Sequence, residues 1–238
     1  MNRAITVRFA LAVATGFSGL ALQFATIAAA DEARKPEFQK MAPVEEYRIS
    51  NRDEEIAMAR SAAPVSVSAD AEILVLGNHG YESAVKGKNG FECLVLRSWA
   101  ASYGDAEFWN AKVRSPICYN AAAVSTVLPV DLEKTQWVMT GLSESQMRAK
   151  SKSSSAAHKV PAPGSMSYMM SKQQHLSETY GHWHPHVMVY QPHTDLVTWG
   201  ANLPDSPLVG FDGPSEAATV FVVPVSKWSD GTSAADML

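Results

Sequence analysis

Cysteine is scarce in this 238-residue chain: only Cys93 and Cys118 occur. With no Cys-x-x-Cys there is no redox dithiol of that type and no covalent haem attachment. Also missing are Gly-x-Ser-x-Gly, a phosphate-cradling glycine loop, Gly-x-Gly-x-x-Gly and His-Glu-x-x-His. Positive charge is not in excess, since 20 Lys and Arg stand against 24 Asp and Glu, for a net charge of −4. Nucleic-acid binding needs clustered Lys and Arg on one surface, so this balance argues against it and against an anionic membrane surface. Long apolar runs are absent after the first thirty residues, so the mature chain carries no transmembrane segment.

What is present begins with an export signal. Arg3 and Arg8 open the chain without an acid, Phe9 to Phe24 is apolar or small, and Ala28-Ala29-Ala30 follows. A positive start, an apolar middle and an Ala-x-Ala end make a cleavable signal peptide over residues 1–30. Its glycine-interrupted middle is shorter than the roughly 20 apolar residues of a spanning helix. Cleavage of thirty of 238 residues leaves 208 and, with two Arg gone, a net charge of −6. That length suits one domain with a sizeable core. The expected location is the bacterial periplasm or the extracellular space. There, Cys93 and Cys118 either form a disulfide or remain two buried thiols; the sequence does not give the separation that decides it.

Residues 31–47 mix charges with Pro36 and Pro43 and read as an extended lead-in, with a single α+β domain over 48–238. Ser50 or Asn51 caps a helix whose acidic first turn suits the helix dipole, and Pro64 stops it. From Val65 to Trp99 the period is two. Glu72 to Leu76, Tyr81 to Lys86 and Phe91 to Trp99 read as strands of an antiparallel meander, the second turn carrying Asn89-Gly90, a strong hairpin signal. Residues 105–159 read as a helical layer or insertion, with Asn120 as a cap, Pro129 at a helix boundary and a Ser143/Gln146 capping box. Strand character returns at Met166 to Met170, His182 to Tyr190, Leu196 to Trp199 and Thr219 to Val225. Strands, helices, then strands predict α+β, a largely antiparallel sheet with a central helical block.

The sharpest chemical feature is His182-Trp183-His184-Pro185-His186. On an extended backbone His182, His184 and His186 share a face about 6.6 Å apart. Two such imidazoles converge on one ion; the outer pair, about 13 Å apart, needs a bend. Imidazole suits Zn or Cu, with His175 or His193 as an extra ligand and Glu178, Asp195 or His79 also within reach in sequence. In an open metal site Glu178 or Asp195 would serve as general base. Tyr180, Trp183, Tyr190 and Trp199 would shape the pocket or the core beside it. Met166, Met169, Met170 and Met188 offer soft ligands for copper, but methionines on strands ordinarily pad a core.

The segments Ile56 to Pro64, Gly181 to Pro185 and Trp228-Ser229-Asp230-Gly231 resemble a group of exported bacterial proteins of uncharacterised function. The likeness spans nearly the whole mature chain. It implies a bacterial envelope location and brings no activity or cofactor with it. Three functions therefore compete: a metal-dependent enzyme, a non-catalytic metal (copper) binder, and a structural or small-molecule-binding module without metal.

Overall fold

Short apolar runs separated by turns build one eight-stranded sheet. The computed structural model describes residues 38–154, 156, 159–179, 181–212 and 218–234. The export signal, the first part of the lead-in and Tyr180 lie outside the described residues. The strands are β1 (Glu72–Gly77), β2 (Gly80–Val85), β3 (Glu92–Leu96), β4 (Ser115–Tyr119), β5 (Met166–Met169), β6 (His186–Gln191), β7 (Val209–Phe211) and β8 (Thr219–Pro224). Their spatial order is β2-β1-β3-β4-β5-β6-β8-β7. Each neighbouring pair is antiparallel except β1 and β3, which are parallel. The fold is α+β with a largely antiparallel sheet.

The helices form two groups in sequence rather than one central block. α1 (Val44–Tyr47), α2 (Arg52–Arg60) and α3 (Val65–Ser68) precede the sheet; α4 (Ala121–Thr126), α5 (Leu128–Met139) and α6 (Glu144–Ser151) lie between β4 and β5. The cap of α2 is Asn51, whose side chain accepts from the Asp53 and Glu54 amides. Asn120 caps α4, Pro129 sits in the first turn of α5, and Ser143 and Gln146 close a reciprocal capping box on α6.

Alternation along the strands separates two cores. Ile73, Val75, Cys93, Val95 and Cys118 pack with α2 residues such as Ala59. Leu74, Leu94, Leu96, Ile117 and Tyr119 point the other way, against Ala123 and Leu128. Glu55 ties α2 to the sheet: its carboxylate accepts from the Leu76 amide at 3.0 Å and pairs with the buried Arg97 guanidinium at 2.8 Å. Arg97 also donates to the carbonyls of Tyr47 and Val95. Cys93 and Cys118, direct partners across β3 and β4, are disulfide-bonded.

Several expectations are corrected. The first three strands are not a meander, because β3 joins the far side of β1 instead of pairing with β2. Residues 86–91 therefore cross the start of β1, where Lys88 donates to the Asp70 carbonyl and Glu72 to the Phe91 carbonyl. Asn89 is used to hold this crossing through Val67 and Phe91, not to make a hairpin. Gly87 is required there, since a Cβ would collide with the Glu72 backbone. Within 105–159, Ser115–Tyr119 is a strand, so the helices begin only at Ala121. Residues 44–47, expected to be extended, form a helical turn, as does Val65–Ser68. Val197–Trp199, expected within a strand, is a 3-10 turn, and β6 pairs with β5 and β8.

Candidate functional site

Between α5 and the sheet, the side chains that point at α5 leave a cavity of about 190 Å³. Its sheet wall carries Ile117 and Tyr119 from β4, Met188 and Tyr190 from β6, and Val220 from β8; its helical wall carries Val127, Val130, Asp131 and Trp137. Most of the lining is apolar, and Tyr119, Asp131, Glu133, Lys134, Ser151 and Tyr190 are among its polar members. Tyr119 donates its hydroxyl to Asp131 at 2.7 Å. The Tyr190 hydroxyl lies 2.8 Å from that of Ser167, and the two tyrosine rings are 6.2 Å apart. Burial above all, with the Asp131 carboxylate next, raises the Tyr119 phenol well above its ordinary value of 10. Burial does the same to Tyr190. Both therefore stay protonated, and the Tyr119 proton is held by Asp131. The Lys134 ammonium, 4.8 Å from the Tyr103 ring centre, donates to the Ala101 carbonyl at 3.1 Å.

A wider cleft of about 750 Å³ adjoins this cavity and shares the wall formed by Leu96, Ala100 and Met169. Trp183 and Leu176 line it, and its polar members include Arg97, Ser98, Asp105, Glu107 and Ser115.

The histidine run is not the alternating strand the spacing predicts. β6 starts at His186, because Pro185 has no N–H for the ladder and only its carbonyl accepts, from Val225. Upstream, Gly181 with φ +62 closes a turn onto Leu176 and Ser177. Trp183, expected on the face opposite the histidines, packs its ring against both His184 (5.5 Å) and His186 (4.9 Å). His182 is exposed and lies beside Trp228, 5.9 Å between ring centres. His186 is buried, with its Nδ1 donating to the His184 carbonyl at 2.7 Å, and burial lowers its pKa. The His184 Nδ1 and the Gln174 Oε1 are buried with no hydrogen-bond partner among the described residues. Among the described residues no three His, Cys, Asp or Glu side chains converge as a metal site requires.

The remaining sequence-derived positions are dispersed. His175 and Glu178 do meet, at 3.2 Å, and Glu178 also accepts from Lys112 at 3.1 Å. These partners hold the Glu178 carboxyl below its ordinary value, with the Lys112 bond the largest cause. His193 pairs with Asp212 at 2.7 Å, and Asp195 is exposed, bonded to the Val197 amide. His79 is exposed at the β1–β2 turn, its carbonyl accepting from Gln136. Tyr190 lines the smaller cavity and Trp183 the cleft, whereas Trp199 is 48% exposed and stacks on Phe221. Tyr119 and Asp131 went unnoticed in the sequence. Their signal is the alternation Ile117-Cys118-Tyr119 just ahead of the Asn120 cap, hidden by reading the whole block as helical. No protein-family model matches the chain, and no curated protein and no solved structure matches it.

Proposed function

We propose that this chain is an exported small-molecule-binding protein that holds a mainly apolar ligand, bearing a hydrogen-bonding group, in the cavity between α5 and the sheet. The observation that carries this reading is the cavity itself: about 190 Å³, apolar in most of its lining, with Asp131, Tyr119 and Tyr190 among the residues that line it. Ligand sites ordinarily combine apolar walls with a few placed polar groups. An engineered apolar cavity of about 150 Å³ takes up benzene, so the ligand here is a single ring with a small substituent, or a short chain of similar bulk. Export is supported by the pattern of residues 1–30 and by the Cys93–Cys118 bond, which persists in oxidising compartments.

The test is calorimetric titration of the mature chain with p-cresol and with toluene. Both bind, and p-cresol binds more tightly by about tenfold, the worth of one good hydrogen bond. Val220→Phe, which fills the cavity from β8, abolishes both. Failure of either compound to bind, or binding unchanged by Val220→Phe, rejects the site.

A further inference from the structure

The hydrogen bonds around the cavity between α5 and the sheet have a direction, and we infer that the cavity selects ligands that donate: a phenol or an alcohol over an ether of the same bulk. This rests on the ligand-binding reading above and names Asp131 as the residue that sets the preference. The register of the sheet assembles the group. Tyr119 on β4 is the direct partner of Ser167 on β5, and Ser167 faces Met188 on β6, two residues before Tyr190. Residues two apart on a strand share a face, so both tyrosines stand on the cavity side, with the small Ser167 on the strand between them. Asp131, in the first turn of α5, lines the same cavity from the opposite wall.

The protons of this group can be followed one by one. A hydroxyl carries a single proton, and a carboxylate only accepts. The Tyr119 proton goes to Asp131 at 2.7 Å. The Tyr190 hydroxyl lies 2.8 Å from that of Ser167 and is also paired with the Tyr119 hydroxyl, so its proton meets a protein oxygen on either side. Elsewhere in the lining, Ser151 donates to the Arg148 carbonyl at 2.9 Å and Lys134 to the Ala101 carbonyl at 3.1 Å, while the Tyr103 hydroxyl is buried. Asp131, Tyr119 and Tyr190 therefore present lone pairs to a ligand, and the carboxylate is the strongest acceptor among them. A ligand O–H or N–H is matched there. An oxygen that only accepts faces other acceptors and is repelled. A hydroxyl also gives up water on entry, so without an acceptor inside it would bind more weakly than an ether.

The experiment titrates the mature chain with p-cresol, benzyl alcohol and anisole, which are isomers, and with toluene as the body alone. The first two donate; the anisole oxygen only accepts. p-Cresol and benzyl alcohol bind at least about tenfold more tightly than anisole, and anisole binds no more tightly than toluene. Asp131→Asn keeps an oxygen for Tyr119 but replaces the other acceptor with an amide donor, and the margin between p-cresol and anisole collapses. A comparison on the unaltered protein guards against misfolding of that variant. 4-Chlorophenol, a stronger donor of nearly the same shape, gains more over p-cresol than chlorobenzene gains over toluene. Anisole equal to p-cresol, a margin untouched by Asp131→Asn in a folded protein, or no extra gain for 4-chlorophenol overturns the inference. Equal binding of all these compounds removes the donor preference and leaves the cavity reading standing, whereas binding of none removes both.

Discussion

At the scale of single residues, the clearest energetic commitment is the buried pair Glu55–Arg97, with side chains 2% and 0% exposed. Two charges out of water are tolerable only while they stay paired and hydrogen-bonded. Glu55→Gln keeps an acceptor for the Leu76 amide but leaves the guanidinium without its counter-charge. Urea unfolding should register a loss of about 3–5 kcal/mol; a loss under about 1 kcal/mol would mean that the pair is not isolated from solvent. His186 supplies a pH dependence. Burial keeps its imidazole below the ordinary value of 6.5, so the native state favours the neutral ring. Below pH 6.5 the unfolded chain takes up a proton that the folded chain refuses. Its share of stability is complete above that pH and is lost as pH falls from 6.5 through the lower native value. Carboxylates held low, such as Glu178 and Asp212, act only below about 4.5 and leave this window clear. His186→Gln should flatten the decline in midpoint denaturant concentration between about pH 7 and 5; parallel slopes for the two proteins would refute the assignment.

At the scale of elements, the disulfide joins strands that already face each other in register. It closes a loop with a sequence separation of 25, for which chain entropy gives about 3.5 kcal/mol of stabilisation. Replacing both cysteines with serine should lower the unfolding free energy by about that amount while leaving the circular dichroism of the sheet unchanged. Local signals read from the sequence correspond to local structure: the Asn51 cap, the Ser143/Gln146 box, the apolar run of β1 and the β-branched run of β8. Each is decided within a few residues. Strand order is decided by distant partners, and Asn89-Gly90 shows the difference. The dipeptide makes a turn, but Gly87 lets the chain pass close over β1, and β3 settles on the other side. β4 was obscured by its neighbours in sequence, helix-forming on one side and irregular on the other. The spacing of His182 to His186 predicts alternation only on an unbroken strand, and Pro185, with no N–H for the ladder, breaks it. The sequence thus located the residues of interest near β6 but not the space they face.

At the scale of the molecule, one sheet carries helices against opposite faces, and both openings described above lie on the α5 side. A sheet braced in this way supplies rigid walls, which is what a site needs to hold a small ligand without reorganising. Produced in a bacterial host with its own N-terminus, the protein should be recovered outside the cytoplasm with Asp31 as its first residue, as read by intact mass. Retention of residues 1–30 would contradict the export reading. The central claim is that the cavity between α5 and the sheet takes up a ring-sized apolar molecule. Methyl NMR of the methionines tests it most directly, because Met169 and Met188 line that cavity and Met58 packs on the opposite face of the sheet. Addition of p-cresol should shift the Met169 and Met188 methyl signals in a saturable way and leave Met58 in place. Met169 and Met188 signals that stay put at saturating p-cresol would contradict the account.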